Sequence, residues 1–276
     1  MLGTAQWGSG YGATNTVGRL SEEQVEQLVA VARRWGIVDI DTAHGYGDAE
    51  ERLAPHAPGF AVTTKVAGAE DVAGQVADSR RRIGLERLHA VLLHDWDALD
   101  SAHRQRAVSG LADLLEARLI ARAGVSVYDA DGVASAVTVF ASQGIPLGVV
   151  QVPANVLDRR LDDSADLAAL HHDGAEVVVR SVFLQGLLLA PGGGRADHPD
   201  IVRFRESTLG AHSDASLVET CLAHAASLPW ATHVVVGATT PAELDEIGAA
   251  WSRMVPAPAD EALRSDDLAL IDPRQW

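Results

Sequence analysis

A single lysine is the residue of this sequence that most suggests catalysis. The chain of 276 residues has 22 Lys and Arg side chains, and Lys65 is the only Lys among them. Lys is a compact ammonium whose pKa shifts readily on burial, whereas Arg stays charged, so the two are not interchangeable at a chemical site. Lys65 also ends the apolar run 59–65. We therefore expect it at the end of a buried strand, with other strand ends around it.

Three further residues occupy comparable places. Asp41 and His94 end two other apolar runs, and Tyr46 follows Asp41 in a short loop. Asp41 would balance the charge of Lys65, and a cation near the Tyr46 hydroxyl would lower its pKa from the usual value of about 10. Such a tyrosine can donate a proton to a carbonyl oxygen that a neutral His94 orients by a hydrogen bond. These residue types suit carbonyl reduction, and a nicotinamide cofactor must supply the hydride because no side chain can.

The elements that must position these residues alternate regularly along the chain. Apolar, β-rich runs predict strands over 2–6, 37–41, 60–65, 89–94, 121–126, 147–151, 176–181 and 233–237. Helical spacing follows over 21–35, 48–54, 70–83, 102–118, 130–143, 162–172, 203–226 and 241–252. This repetition, without a linker, predicts an α/β fold of the single-domain (β/α)8 TIM barrel type. A doubly wound open sheet is the alternative, but the glycine-rich stretch 8–12 lacks the dinucleotide-binding spacing.

Composition limits the partners and the compartment. The formal net charge of −16 argues against DNA, RNA or an anionic membrane as the main partner. Cys221 is the only cysteine, so no intrachain disulfide can form, which is typical of a reducing compartment. The first residues show no signal-peptide pattern. We therefore expect a cytoplasmic protein that acts on a small molecule.

The sequence resembles the aldo-keto reductase family over nearly its whole length. The motifs that carry the resemblance lie, in chain order, at 2–6, 41–47 with Glu50, 64–65, 93–94, 124–126, 151–155, 180–181 and 237–238. The resemblance implies one barrel over residues 1–276 that reduces an aldehyde or ketone, reversibly, with NAD(P)H bound across its mouth. It implies a catalytic tetrad of Asp41, Tyr46, Lys65 and His94, with Tyr46 as the proton donor. The tail 255–276 is expected over the barrel mouth.

The resemblance also implies a cofactor site. Its contacts are expected from Ser126, Gln151, Arg180, Ser181, Gly237, Ala238, Thr239, Glu243 and Glu246. The family often has an aromatic residue stacked on the nicotinamide, where this chain has Arg180, whose planar guanidinium is expected to stack instead. Members specific for NADP usually carry a basic residue in the first turns of the last barrel helix, where this chain has Glu243 and Glu246. The resemblance favours NADPH as the cofactor, and these carboxylates make NADH the alternative.

The substrate pocket and three other functions complete the expectations. Trp7, Trp96 and Tyr128 follow predicted strands and are expected in the pocket, where aromatic rings can stack on a substrate. The alternatives are a Schiff-base aldolase with Lys65 as nucleophile, an NAD(P)-binding regulatory protein without turnover, and a redox-neutral member such as an isomerase. The family usually has a small hairpin before the first strand. We therefore expect the amino end of the barrel to be open or to be closed differently here, or the protein to start upstream of Met1.

Overall fold

The computed structural model describes residues 1–210 and 216–276 and confirms a parallel α/β barrel. Its strands are β1 (Leu2–Gly3), β2 (Asp39–Asp41), β3 (Ala61–Val66), β4 (Leu88–Leu93), β5 (Ile120–Ser126), β6 (Val149–Pro153), β7 (Glu176–Arg180) and β8 (His233–Val234). Each strand pairs with the next in chain order, always in parallel. The chain after β8 returns to β1, where the Gly3 N–H donates to the Val236 carbonyl at 2.8 Å. This contact closes the ring.

Helices follow the strands and cover the outside. Those in the described residues are α1 (Ala5–Gly8), α2 (Glu22–Arg34), α3 (Ala49–Leu53), α4 (Val72–Ile83), α5 (Ser101–Glu116), α6 (Ala130–Ser142), α7 (Ala165–His172), α8 (Pro199–Thr208), α9 (Leu217–Ser227), α10 (Pro241–Arg253) and α11 (Leu268–Ile271). Ser21 and Gln24 form a capping box at the start of α2, and Thr240 caps α10 ahead of Pro241. Such caps satisfy N–H groups that lack a partner within the helix. Within the described ranges, no helix is both long enough and apolar enough to cross a membrane.

Several predicted elements differ in their bounds from the structure, and the strand predicted over 233–237, for example, ends at Val234. The strand predicted over 2–6 ends at Gly3, because the chain turns at Thr4 into the short helix α1. The prediction of one helix over 203–226 is wrong, because α8 ends at Thr208 and a second capping box at Ser216 starts α9. Helical spacing continues on both sides of this interruption, so periodicity alone does not reveal it. Residues 211–215 lie outside the described part of the chain.

Apolar side chains form two separate clusters. The larger cluster lies between the strands and the helices around them. The smaller cluster comes from alternate residues of three strands and consists of Ala90, Leu92, Val149 and Val178. Alternate residues of a barrel strand face the interior, so this cluster fills the barrel. The interior is therefore packed, and a ligand site must lie at an end of the barrel.

Charged side chains bridge the amino-terminal end of the barrel. His89 Nε2 on β4 lies 3.0 Å from the Glu176 carboxylate on β7, and Arg122 Nε on β5 lies 3.0 Å from the same carboxylate. The bond to Glu176 raises the pKa of His89, which favours its charged form. Because β4 and β7 are separated by two strands, the His89–Glu176 contact links parts of the ring that are not hydrogen-bonded to each other.

The carboxyl-terminal tail packs against loops at the other end. Arg274 Nη1 lies 3.0 Å from Asp97, which follows β4, and Arg274 Nη2 lies 3.6 Å from Asp129, which follows β5. Trp276 Nε1 donates to the Leu270 carbonyl at 3.2 Å, which folds the last residues back on α11. The tail thus contacts loops at the carboxyl ends of the strands, the end at which barrel enzymes place their chemistry.

Candidate active site

Lys65 and Asp41 form a buried ion pair at the carboxyl ends of β3 and β2. Lys65 Nζ lies 2.8 Å from Asp41 Oδ1 and 2.7 Å from Oδ2, and it donates to the Thr42 carbonyl at 3.0 Å. The side chains are only 1% and 6% exposed. The parallel register places Asp41 opposite Thr63, so Lys65 projects on the same face of β3, two residues further along. Burial lowers the pKa of Lys65, and the Asp41 carboxylate opposes this shift.

Tyr46 and His94 lie beside this pair. Lys65 Nζ is 5.2 Å from the centroid of the Tyr46 ring, and the rings of Tyr46 and His94 meet edge to face with centroids 5.8 Å apart. Burial, and then the positive charges of Lys65 and Arg180, lower the pKa of His94 to about 4. The imidazole is therefore neutral near pH 7 and offers one N–H donor.

The pKa of Tyr46 shifts in the direction opposite to the one expected from the sequence. Burial raises it above its usual value of 10, and the Asp41 carboxylate raises it further, with only Arg180 in opposition. No net lowering results, because burial and the Asp41 carboxylate together outweigh the positive charges around Tyr46. Tyr46 is therefore a neutral phenol at pH 7, the form that donates a proton.

Two glycines hold the loop that carries Tyr46 against α1. A Cβ atom on Gly8 would lie 1.8 Å from the Tyr46 carbonyl oxygen, and one on Gly47 would lie 2.4 Å from the Gly8 carbonyl oxygen. Gly47 also has a φ of +60°, which side chains disfavour. The glycine-rich stretch after β1 therefore supports Tyr46 through close backbone contact, a role that its spacing alone did not indicate.

Gln151 connects the ion pair to the expected nicotinamide side of the site. Its Nε2, in the middle of β6, donates to Asp41 Oδ1 at 2.7 Å, and its Oε1 accepts a bond of 3.5 Å from Ser126 Oγ. Ser126 ends β5 and lies opposite Gln151 in the register. Val127, where the family often has Asn, is fully buried and bonds through its backbone only.

Arg180 stacks on Tyr128 at the edge of the tetrad. Its guanidinium carbon lies 4.0 Å from the Tyr128 ring centroid, and that of Arg274 lies 4.1 Å from the same centroid. Two planar groups at stacking distance from one ring must take opposite faces, so β7 and the tail hold Tyr128 between them. Arg180 also donates to the Val127 carbonyl at 3.2 Å and to Ser181 Oγ at 3.3 Å. Its positive charge helps to lower the pKa of His94 and opposes the rise in the pKa of Tyr46.

A cavity of about 650 Å³ extends from the tetrad to the start of α10. Its wall comes from β1 and α1, from the loop after β7, and from the segment that joins β8 to α10. The expected site residues that line it are Asp41, Tyr46, Gln151, Arg180, Ser181, Gly237, Ala238, Thr239, Glu243 and Glu246. Lys65 and Ser126 lie behind this wall, almost fully buried. Asp41 and Tyr46 thus share one elongated cavity with eight of the nine expected cofactor residues, whereas His94 is not part of its wall.

One buried hydroxyl in the cavity wall lacks a partner. Thr4 Oγ1 makes no hydrogen bond to the described residues, although Thr4 is fully buried. Thr4 lines the cavity beside the ion pair, because its backbone N–H donates to the Asp41 carbonyl at 2.9 Å. Buried polar groups are nearly always paired, so this hydroxyl fits a polar ligand group such as the carboxamide of a nicotinamide.

The loop after β7 has a strained backbone. Ser181, Leu184 and Gln185 have φ angles of 62°, 46° and 53°. Such conformations cost about 1–3 kcal/mol each for residues other than glycine and cluster at ligand sites. The backbone N–H groups of Val182 and Phe183 find no acceptor among the described residues, and both residues line the cavity. N–H groups presented in this way suit an anion such as the diphosphate of a dinucleotide.

Glu243 occupies the start of α10. Its carboxylate accepts the Thr239 backbone N–H at 2.7 Å and the Thr239 hydroxyl at 3.0 Å, and its own N–H donates to Thr240 Oγ1 at 3.2 Å. Glu246 lines the same part of the cavity. Asp245 is not part of the wall, because it pairs with Arg34 and accepts the Trp35 indole N–H at 2.8 Å. This end of the cavity is therefore acidic.

None of the three expected pocket aromatics lines the cavity, and the Tyr128 ring lies between Arg180 and Arg274 instead. Trp7 and Trp96 have 0% exposed surface, and Trp96 packs on Phe140 while its Nε1 donates to Ser135 Oγ at 2.8 Å. Burial of so much apolar surface is strongly favourable, which explains why these rings enter the core although they follow strands. Tyr11 lines the cavity instead, and no sequence motif distinguishes it.

Solved structures with a similar fold carry the name aldo-keto reductase. An aldo-keto reductase from Bacillus halodurans in its holo form matches with a TM-score of 0.75 and 18% identity, over 100% of this chain and 94% of that chain. A putative aldo-keto reductase from Pseudomonas aeruginosa matches with a TM-score of 0.69 and 21% identity, over 91% of this chain and 88% of that chain. An aldo/keto reductase from Klebsiella pneumoniae in complex with NADP and acetate matches with a TM-score of 0.67 and 22% identity, over 92% of this chain and 86% of that chain. At these identities the likeness shows the fold alone.

Comparison at the level of the sequence shows the family as well as the fold. A comparison with curated proteins finds no match. The family model described as the aldo/keto reductase family, however, matches residues 1–267, which include every strand and all four tetrad positions. The chain therefore belongs to the aldo/keto reductase family.

Proposed function

We propose that the protein reduces an aldehyde or ketone to an alcohol, reversibly, with NAD(P)H as the hydride donor. One observation carries the proposal: a neutral Tyr46 lies beside the buried Lys65–Asp41 pair at one end of an elongated cavity. Family membership supports the general class, a nicotinamide-dependent oxidoreductase. The orphan hydroxyl of Thr4 and the strained loop after β7 support a dinucleotide in this cavity.

Each tetrad residue takes one role in this proposal. Tyr46 donates its phenolic proton to the carbonyl oxygen as negative charge develops there. Lys65 Nζ, 5.2 Å from the Tyr46 ring, stabilises the phenolate that remains. Asp41 holds Lys65 in place through both carboxylate oxygens. The neutral imidazole of His94 donates a hydrogen bond that orients the substrate oxygen.

The remaining wall residues bind and orient the cofactor. The nicotinamide, when bound, supplies the hydride. Gln151, Arg180 and the hydroxyl of Thr4 would hold its ring near Tyr46, because all three line the tetrad end of the cavity. The loop from Ser181 to Gln185 would hold the diphosphate through backbone N–H groups. The resemblance favours NADPH for this site, and the relative from Klebsiella pneumoniae was solved in complex with NADP.

The geometry disfavours the aldolase alternative. All three N–H bonds of the Lys65 ammonium have acceptors, namely both Asp41 oxygens and the Thr42 carbonyl. Burial lowers the pKa of Lys65, as a Schiff-base lysine requires, but the side chain is 1% exposed and lies behind the cavity wall. A substrate carbonyl would have to displace Asp41 to reach Nζ.

Binding and turnover measured separately test the proposal. NADH and NADPH are titrated into the purified full chain while cofactor fluorescence is followed. Loss of reduced cofactor is then followed with a panel of aliphatic, aromatic and sugar aldehydes and ketones. The proposal expects binding of at least one form and turnover with at least one carbonyl class. Binding without turnover on any class would favour the regulatory or redox-neutral alternatives, and no binding of either form would contradict a nicotinamide site.

A further inference from the structure

The far end of the cavity presents carboxylates to the cofactor. We propose that this protein uses NADH in preference to NADPH, because Glu243 and Glu246 form the wall where the adenosine ribose must lie. This inference rests on the proposed function and specifies its cofactor.

The placement of the adenosine follows from the shape of the site. The nicotinamide must lie beside Tyr46 for hydride and proton to reach the same carbonyl group. The cavity extends from Tyr46 along the loop after β7 to the first turns of α10. A dinucleotide that starts at Tyr46 and passes its diphosphate along this loop therefore brings its other ribose to α10.

Glu243 already uses the donors that a phosphate would need. A helix start binds phosphate through free backbone N–H groups and nearby hydroxyls. Here the Thr239 N–H and the Thr239 hydroxyl both donate to the Glu243 carboxylate, at 2.7 Å and 3.0 Å. A 2′-phosphate would have to displace this carboxylate or lie against it.

The described residues offer no cation to offset the repulsion. Arg180 is the only Lys, Arg or His among the cavity-lining residues that the structure describes, and it is held against Tyr128 at the tetrad end. The arginines near α10 are engaged elsewhere, Arg34 with Asp245 and Arg253 with Glu219. A doubly charged phosphate would thus meet two carboxylates, whereas the free ribose hydroxyls of NADH can donate hydrogen bonds to them.

Direct binding measurements on the full chain test this inference without reference to activity. We expect the Kd for NADH to be lower than that for NADPH by at least about tenfold at low ionic strength, with the gap narrowing as salt screens the carboxylates. Glu243→Gln keeps an oxygen that can accept the Thr239 N–H but removes the charge. It should tighten NADPH binding by about fivefold or more and should not tighten NADH binding, because the amide oxygen accepts a ribose hydroxyl less strongly than the carboxylate does.

Asp245→Asn is the matched control, because it removes the same charge from the same helix outside the cavity wall. It should change the two affinities equally. Equal binding of both cofactors by the wild-type protein would overturn the inference but leave the proposed function intact. The inference would also be overturned if Glu243→Gln changed the affinities for NADH and NADPH by the same factor, because that result is expected when Glu243 only stabilises the start of α10. If neither cofactor binds, the proposed function itself fails.

Discussion

The carbonyl oxygen of Tyr46 lies where a side chain on Gly8 would have to be. A Cβ atom built on Gly8 comes within 1.8 Å of this oxygen and 2.8 Å of the Ala49 nitrogen. Backbone atoms cannot yield as the end of a flexible side chain can. The short helix after β1 therefore sets the position of the proposed proton donor, although the two segments are far apart in sequence.

Gly8→Ala should displace Tyr46. We expect carbonyl reduction to fall by about tenfold or more, because a shift of about 1 Å at a catalytic group can cost 10²-fold. The added methyl should also lower the free energy of unfolding by about 1–3 kcal/mol, as in other overpacked sites. Steady-state kinetics and chemical denaturation measure the two effects. Gly10→Ala is the control, since the nearest atom to its Cβ lies at 3.7 Å; equal losses in both variants would contradict this role of Gly8.

Tyr46→Phe should remove the proton donor and keep the packing of the ring. Carbonyl reduction should fall by at least about 10²-fold, the usual contribution of a positioned general acid. The Kd of the cofactor should stay within about threefold, because the hydroxyl is not required to hold the dinucleotide. Tyr11→Phe, which removes a hydroxyl from the same cavity, should keep most of the activity. Wild-type turnover by the Tyr46 variant would exclude the proposed mechanism.

The raised pKa of Tyr46 predicts different pH dependences for the two reaction directions. Reduction uses the neutral phenol, so its rate should not fall from titration of Tyr46 until the pH exceeds 10, the usual tyrosine value. Alcohol oxidation needs the phenolate to accept a proton, so its rate should rise with pH throughout the range from 7 to 10. Initial rates in both directions across this range provide the measurement. An oxidation rate that levels off near pH 7 would mean that the pKa of Tyr46 is lowered after all, for instance once the cofactor is bound.

Lys65 should give no covalent adduct with a carbonyl compound. Treatment of the protein with borohydride in the presence of small aldehydes and ketones should leave the mass of the peptide that contains Lys65 unchanged. The reason is that Asp41 and Thr42 hold all three of its N–H bonds. Lys65→Arg should lower carbonyl reduction by about 10²-fold or more, because a guanidinium cannot take the place of a buried ammonium with this geometry. A reduced adduct on Lys65 would instead support the aldolase alternative, and a fully active Arg variant would mean that Lys65 only balances Asp41.

The amino-acid sequence by itself determined the barrel and which residues stand at the carboxyl ends of its strands. Strand order follows from a local pattern, since each apolar run is short and each is followed by a helical segment. Parallel strands then bring their carboxyl ends to one face, so Asp41, Lys65 and His94 had to meet there. The caps at the starts of helices, such as those of Ser21 and Thr240, likewise depend on residues that are close together in the sequence. The interruption between α8 and α9 was missed because helical spacing resumes after it.

Only the tertiary structure decided how the site behaves electrostatically and which side chains form its wall. The pKa of Tyr46 depends on burial and on Asp41 at its final distance, and both arise from packing between segments that are remote in sequence. Trp7 and Trp96 follow strands, as pocket residues do, yet both side chains are fully buried in the hydrophobic core. The hydrogen bond from Thr239 to Glu243 is local, but it bears on the proposed cofactor preference only because the cavity ends at these residues. Residue types and strand ends are properties of short segments, whereas burial, charge balance and cavity shape are sums over the whole fold.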